Sequence, residues 1–370
     1  MTQQTNILEL ECSACGKKYD SSIEQHLCTC GKPLLARYDL KRATASLTLE
    51  NLKSRPNSLW RYAEVLPNDT PVTLGEGMTA LVPAKRLGAS LGVFNLLVKD
   101  EGLNPTGSFK ARGAISAVFG LPPTQLRRGI ATASGGNHGL AVAYAGWATG
   151  VPATIFLPRS VAADKIAKLD AWGARVVMSG EVWDDSNRAA LQHAETEGLA
   201  YIHPFADPEV IAGQGTIALE ILDEAPDLDT LLVAIGGGGL ISGVAIAAKA
   251  LKAGIRIIGV EPVGAPTLHD SLAAGRLVEL THLDTAAVTL APRRSEPVNL
   301  AIVREAVERI VLVEDTEMRE AARWLWREVG VAAELSGAAA VAALLSGRYR
   351  PAADEQICAV VCGAGTDGIH

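Results

Sequence analysis

Three stretches combine residue types that chemistry could use. The first is Asn104-Pro105-Thr106-Gly107-Ser108-Phe109-Lys110-Ala111-Arg112-Gly113-Ala114. Its lysine follows a Thr-Gly-Ser-Phe turn and opens an expected helix. Desolvation and a helix N-terminus both disfavour an ammonium there, which leaves an amine able to form a Schiff base. The plainer reading is a solvated surface lysine. The second stretch is Ala133-Ser134-Gly135-Gly136-Asn137-His138-Gly139 and the third is Ile235-Gly236-Gly237-Gly238-Gly239-Leu240. Four glycines at a helix N-terminus expose successive N–H groups and add the helix dipole, which suits a phosphate. The loop lacks Gly-x-Gly-x-x-Gly with a following acid, and it lacks the Gly-Lys-Ser/Thr end of a P-loop, so a nucleotide is not its natural occupant. A tight packing turn is the plain alternative.

The cysteines form a second constellation. Cys12, Cys15, Cys28 and Cys30 fall early, as Cys-x2-Cys and then Cys-x-Cys, while Cys358 and Cys362 lie near the other end. Glycine and lysine follow each early pair (Gly16-Lys17, Gly31-Lys32), which suits a turn presenting two thiolates to one zinc ion. His26 is a spare ligand if one thiolate cannot reach. The alternative is four reduced, metal-free thiols. Four cysteine ligands close the coordination shell, so such a metal is structural.

These groups need elements to hold them. Strands are expected at 93–99, 128–132, 151–157, 175–178, 230–235, 255–260, 310–313 and 357–361. Most are separated by helical stretches, and that alternation predicts βαβ units and doubly wound parallel sheets. Ligands in such sheets bind where strand carboxyl ends lead into helices, which is where all three loops fall. Residues 1–40 read as a small unit unable to build a core alone. The expected division is 1–40, then 41–128 with 206–370 as a large domain, and 129–205 as a small mobile one.

Composition removes several function classes. The 370 residues carry 34 Lys and Arg against 41 Asp and Glu, a net charge of −7, which disfavours a nucleic-acid partner bound by bulk charge. Glycine is abundant at 36 residues and aromatics are scarce at 5%, a balance that points to backbone-lined ligand loops. The first residues have no basic start or apolar core, so no export signal is expected. The longest stretch free of charged side chains, 129–158, is broken by Ser134, Asn137, His138, Pro152 and glycines, so no membrane span is expected either. A cytoplasmic protein is the resulting expectation.

Together the three loops and Val361-Cys362-Gly363-Ala364-Gly365 resemble the fold-type II pyridoxal-phosphate enzymes of the tryptophan synthase β family, over roughly residues 70–370. Within that family the likeness is to threonine synthases and threonine/serine dehydratases; the N-terminal cysteine unit is synthase-like. The resemblance implies an α/β fold of two open, mostly parallel sheets wrapped by helices, with a small N-terminal zinc-ribbon-like unit. It implies pyridoxal 5'-phosphate as cofactor, held as an aldimine by Lys110. It assigns the phosphate to Gly236, Gly237, Gly238 and Gly239, and the ring hydroxyl to Asn137. Ser134, Gly135, Gly136, Asn137 and His138 become the loop that grips the substrate carboxylate. Cys362 faces the pyridine nitrogen, where a neutral thiol weakens the electron sink and favours elimination over transamination. Glu334 joins the cofactor residues. A homodimer acting on a small amino acid is implied, with structural zinc at the four early cysteines.

The motifs lean towards dehydratases. Synthases usually read Ser-Phe/Tyr-Lys-Asp-Arg-Gly, and here Ala111 replaces the Asp. Gly-Asn-His-Gly, Gly213-Gln214-Gly215-Thr216-Ile217 and Glu334-Leu335-Ser336-Gly337-Ala338-Ala339 resemble dehydratase motifs. Serine racemases carry a second serine at the position of Gly135 as opposite-face base, and glycine cannot take a proton. The expected activity is β-elimination on threonine, serine or a related β-substituted amino acid. The alternative is threonine synthase chemistry on O-phosphohomoserine (β,γ-elimination and replacement), which needs a second anion site from Arg112, Lys165, Lys168, Arg293 or Arg294. A non-catalytic module is disfavoured by the joint presence of Lys110, Asn137, the four glycines and Cys362. Some relatives hold a cation near Glu261, but Thr267 stands where a second acid is needed.

Overall fold

The structure is a computed structural model, and it describes residues 6–369 except 23–24, 26, 33, 57, 67–74 and 94. His26 and Phe94 therefore lie outside the described residues. The chain divides into two compact units. The first is Met1–Glu76 with Lys110–Gly213, and the second is Gly77–Phe109 with Gln214–His370.

Up to Lys110 the chain forms β1 (Ile7–Cys12), β2 (Lys18–Tyr19), β3 (Leu34–Tyr38), α1 (Leu40–Ser46), α2 (Leu49–Lys53), β4 (Leu81–Pro83), α3 (Lys85–Leu91) and β5 (Leu96–Asp100). Then come α4 (Lys110–Gly120), α5 (Pro123–Leu126), β6 (Ile130–Ala133), α6 (Asn137–Thr149), β7 (Ala153–Leu157), α7 (Ala163–Ala171), β8 (Arg175–Met178), α8 (Trp183–Glu197), β9 (Ala200–Tyr201) and α9 (Pro208–Glu224). The remainder is β10 (Thr230–Ala234), α10 (Gly239–Leu251), β11 (Arg256–Pro262), α11 (Thr267–Ala274), α12 (Pro297–Ala306), β12 (Arg309–Val313), α13 (Asp315–Val329), α14 (Ala339–Leu345) and β13 (Ile357–Val361).

In the first unit β8, β7, β6 and β9 form a parallel sheet in that order. Every residue of β6 and β7 is buried, as expected of a parallel strand covered on both faces. The uncharged run 129–158 is β6, α6 and β7. Helix α6 buries Ala141, Val142, Ala143, Ala145 and Gly146, a helix apolar nearly all round because it is packed nearly all round. Helix α4 packs on α6 through Ala114, Ala117 and Val118. This packing groups 110–128 with the first unit, which also takes in 41–76 and 206–213; the sequence reading put all three segments in the large domain. The same unit carries a three-stranded antiparallel ribbon, ordered β2-β1-β3.

In the second unit six strands run β12-β11-β10-β13-β5-β4. All neighbours are parallel except the edge pair β4 and β5. One contiguous core of Leu, Ile, Val and Ala fills this unit. Each fully buried Leu, Ile or Val contributes about 1.5–3 kcal/mol relative to exposure. Deep in this unit Lys99 and Glu220 pair at 2.8 Å with both side chains fully buried. Lys99 also donates to Thr79 O (2.7 Å), and Glu220 accepts the Met78 N–H (2.9 Å).

Strands β4 and β9 are absent from the sequence reading, being three and two residues long. Their pairing comes from neighbouring strands rather than from a periodic pattern of their own. The fold is the α/β arrangement expected, with open, mostly parallel sheets wrapped by helices.

Candidate active site and the cysteine ribbon

Within the second unit β13 lies between β10 and β5, so three adjacent parallel strands deliver their carboxyl-end loops together. The loop after β5 is fastened to the segment after β13. Ala364 N–H donates to Gly107 O (2.7 Å), Ser108 bridges Gly363, and Phe109 N–H donates to Cys362 O (3.1 Å). Thr106 and Gly107 both have positive φ, +67° and +78°. That turn brings the chain back against β13, and Lys110 is the next residue after the anchored Phe109.

The loop after β10 runs straight into α10. Gly238 has φ +97°, and a Cβ there would stand 2.9 Å from Leu268 Cδ1 and 3.0 Å from Asn299 Cβ. A Cβ at Gly236 would stand 2.9 Å from Thr289 O. Ser295 Oγ donates to Gly237 O (2.8 Å), pinning the loop from outside. The glycines thus hold a bare backbone at the start of the thirteen-residue helix α10, an arrangement that suits an anion.

Cys362 is buried and its thiol donates weakly to Ser336 O at 3.7 Å. Glu334 N–H donates to Gly363 O (3.0 Å), and a Cβ on Gly337 would reach within 2.3 Å of Gly363 O. The segment 334–337 therefore lies directly on the segment after β13. The structure brings Glu334 and Cys362 to neighbouring positions in the second unit.

In the first unit the loop after β6 carries Ser134 to Gly136. Gly136 N–H donates to Ser134 Oγ (3.3 Å). A Cβ on Gly135 would touch Leu157 Cδ2 and Val161 Cγ2 at 3.3 Å. A Cβ on Gly139 would fall 1.8 Å from Ser134 O, so α6 can start here only with glycine at this position. Trp183, at the start of α8, donates its indole N–H to Ala133 O (2.8 Å). Asn137 opens α6. His138 is 3% exposed, and its Nε2 donates to Ile202 O (3.2 Å), which leaves Nδ1 without a hydrogen-bond partner.

Half-buried Lys110 donates from Nζ to Pro204 O at 2.5 Å. Two neutral histidines stand near its amine. Burial pushes His138 well below the usual imidazole range, and the positive charge of Lys110 adds to this. Burial, with Lys110 again second, pushes His203 down to about 3. Sequence reasoning missed His203, Pro204 and Trp183. No spacing rule links Lys110 to a carbonyl 94 positions away. Of the five basic residues considered for a second anion site, Arg112 is fully buried in α4, while Lys165, Lys168, Arg293 and Arg294 are exposed. Glu261 spends both carboxylate oxygens on the N–H groups of Leu268 and His269 (2.8 Å each), and Thr267 Oγ1 donates to Pro292 O (2.9 Å). Glu261 thus serves the first turn of α11 from β11, while Pro266 is the N-cap residue.

The four early cysteines converge, with all four Sγ atoms within 4.8 Å of one another. Cys12–Cys30 and Cys15–Cys28 are each 3.5 Å apart, and Cys15–Cys30 is 3.8 Å. Gly16 and Gly31, at φ +69° and +74°, close the two turns. Tyr19 OH donates to Cys28 Sγ at 3.0 Å. The Cys30 N–H and then this hydroxyl hold the Cys28 thiol down to about 5. Four sulfurs at Zn–S ~2.3 Å from one tetrahedral centre lie a little under 4 Å apart, so these positions fit a metal ion.

The remaining residues fit a phosphate-bearing aldehyde. The first unit carries a lysine amine, and the second carries a glycine loop in which a Cβ at Gly236 or Gly238 would clash. Ser108 Oγ and both polar atoms of the Gln214 amide are buried without hydrogen-bond partners. Residues 72–363 match the family described as pyridoxal-phosphate dependent enzyme. The chain is 39% identical over 289 residues to an L-threonine ammonia-lyase of Geobacter sulfurreducens, covering 78% of this chain and 71% of that one. It is 36% identical over 276 residues to a serine racemase of Oryza sativa subsp. indica, covering 74% and 81%. Among solved structures it resembles threonine deaminase isoform 2 from Solanum lycopersicum, with a TM-score of 0.73, 36% identity, and coverage of 78% and 79%. The chain belongs to the pyridoxal-phosphate dependent enzyme family.

Proposed function

We propose that the protein is an ammonia-lyase that removes water from threonine, serine or a related small β-substituted amino acid, giving an enamine that water then hydrolyses to a 2-oxo acid and ammonia. Lys110 would hold pyridoxal phosphate through Nζ, Gly236–Gly239 its phosphate, Asn137 its ring hydroxyl, and Cys362 with Glu334 its pyridine side. When bound, the cofactor supplies electron withdrawal from the substrate Cα. The protein's own residues do the rest. Ser134, Gly135, Gly136, Asn137 and His138 fix the substrate carboxylate, which sets the Cα–H bond in the orientation elimination needs. Once the substrate's own amine has displaced it, the Lys110 amine would take the Cα proton, and the β-hydroxyl would leave as water, which carries off one proton in balance. The neutral Cys362 thiol adds no positive charge at the ring nitrogen, which favours elimination.

Gly135 carries this reading over racemisation. It offers no proton-bearing side chain, and Leu157 and Val161 crowd the space where one would sit. The synthase reading lacks support, since four of its five candidate cations are exposed side chains and the relatives described above are a threonine ammonia-lyase, a threonine deaminase and a serine racemase. The test supplies L-threonine and L-serine and measures 2-oxo acid, D-serine, and phosphate released from O-phosphohomoserine. We expect 2-oxo acid alone, and a visible absorption band that Lys110→Ala lacks. Phosphate release or D-serine without 2-oxo acid refutes the proposal.

The cysteine ribbon would hold one structural zinc through Cys12, Cys15, Cys28 and Cys30. Elemental analysis is expected to find one zinc per chain, lost in Cys28→Ser; a metal-free protein as purified contradicts this. Reduced thiols suit a cytoplasmic setting, and among the described residues no helix is long and apolar enough to cross a membrane. A homodimer is the expected assembly, to be measured by light scattering.

A further inference from the structure

We propose that His203 is a positioning residue for Lys110, acting by setting the Pro204 carbonyl that receives the lysine amine. The inference rests on the reading of Lys110 as the cofactor-bearing amine. Its geometry lies entirely within the first unit. Lys110 Nζ donates to Pro204 O at 2.5 Å. The turn that presents this carbonyl is closed by one side chain: His203 Nδ1 accepts the N–H groups of Phe205 (3.3 Å) and Ala206 (3.0 Å). An Nδ1 that accepts must carry its proton on Nε2, so the imidazole is fixed in one tautomer. The His203 ring is held edge-on by two neighbours, Phe205 at 4.6 Å and Tyr201 at 6.2 Å, which fixes its plane. On the far side of the turn Asp207 Oδ1 accepts Glu209 N–H (2.9 Å), fixing the start of α9.

The neighbouring carbonyl is already occupied. Ile202 O accepts Thr132 Oγ1 (2.8 Å) and His138 Nε2 (3.2 Å). The segment 202–206 therefore sorts its donors, with threonine and one histidine on Ile202 and the lysine amine on Pro204. A carbonyl that takes one N–H of an amine fixes rotation about Cε–Nζ and turns the nitrogen lone pair away from itself. That orientation is what capture of an aldehyde and removal of a Cα proton both need. An imidazole that stays neutral can do this without placing a second positive charge beside the lysine.

The test uses the full chain stripped of cofactor, with two variants. His203→Phe keeps an aromatic ring and removes the acceptor; His203→Asn keeps an acceptor that reaches the N–H groups two and three residues on. The first readout is the rate at which the visible band forms when pyridoxal phosphate is added. We expect His203→Phe to slow it about tenfold or more, because a misplaced reacting group costs that much, and His203→Asn to restore most of the rate. The second readout needs no cofactor. Lys110 is reductively methylated with formaldehyde and cyanoborohydride and quantified by peptide mass spectrometry against exposed Lys165. In His203→Phe, Lys110 should label several-fold faster than in the wild type, since the Pro204 carbonyl no longer sits where it receives the amine. Melting temperatures confirm that both variants fold. Wild-type behaviour of folded His203→Phe in both readouts overturns the proposal. Equal defects in the two folded variants overturn it as well. Wild-type protein that captures no pyridoxal phosphate sinks the proposed function instead, and the methylation comparison still decides the role of His203.

Discussion

Gly139→Ala provides the sharpest test of how the first unit builds its loop. The added Cβ would lie 1.8 Å from Ser134 O, where real Cβ atoms essentially never come within 3.0 Å. The obstacle is a backbone carbonyl, with its carbon at 2.9 Å, so no side chain can swing aside. Either the first turn of α6 or the Ser134–Gly136 loop must shift by more than 1 Å. Overpacking of this kind costs about 1–3 kcal/mol of stability. Displacement of a substrate-positioning group by ~1 Å costs on the order of 100-fold in rate. The variant should therefore unfold at lower denaturant and lose about 100-fold in kcat/KM for 2-oxo acid formation from threonine. Affinity for pyridoxal phosphate should fall less than kcat/KM, because the glycine cradle belongs to the second unit and only the ring-hydroxyl contact proposed for Asn137 lies on the shifted segment. The assays are urea unfolding, steady-state kinetics with threonine, and titration with pyridoxal phosphate. A variant with unchanged unfolding midpoint and unchanged kcat/KM refutes the reasoning that Gly139 is required by the approach of Ser134 O.

Other outcomes follow from the same geometry. Lys99→Met removes the buried ammonium that pairs with Glu220 and should cost about 3–5 kcal/mol in chemical denaturation; an unchanged midpoint contradicts this. Gly238→Ala puts a side chain on a backbone at φ +97° against Leu268 and Asn299. Strain of about 1–3 kcal/mol should raise the Kd for pyridoxal phosphate roughly tenfold or more, and a wild-type titration curve would count against the cradle. His138 and His203 titrate lower in the folded chain than the ~6.5 of an unfolded one. The unfolded state therefore binds more protons below pH ~6.5, and stability is full at neutral pH and falls as pH drops from there, by up to ~1.4 kcal/mol per pH unit per histidine. For His203 the loss runs down to about pH 3. Urea midpoints at pH 7 and pH 5 measure this, and equal values refute it.

Sequence alone was enough for the parts of this protein that depend on local chain. Glycine runs after apolar segments announce loops that lead into helices. A strand such as 357–361 is a continuous apolar run, and it is β13. The paired cysteine turns predict two knuckles, and the chain folds them onto one point. Lys110, Gly236–Gly239 and Cys362 are nameable as candidates because each sits in a short motif. What those motifs omit is the far side of each contact. That Lys110 meets Pro204, that Gly139 is forced by Ser134 O, and that Trp183 braces Ala133 depend on strands β6 and β9 pairing and on α4 and α8 packing against that sheet. The two-residue β9 has no pattern of its own, since only a neighbour's hydrogen bonds make it a strand. The placement of 110–128 with the first unit likewise came from α4 packing on α6, a helix–helix contact that no local composition records. Short-range backbone preferences are written residue by residue, whereas the partners of a buried amine or carbonyl are chosen by the whole packed sheet.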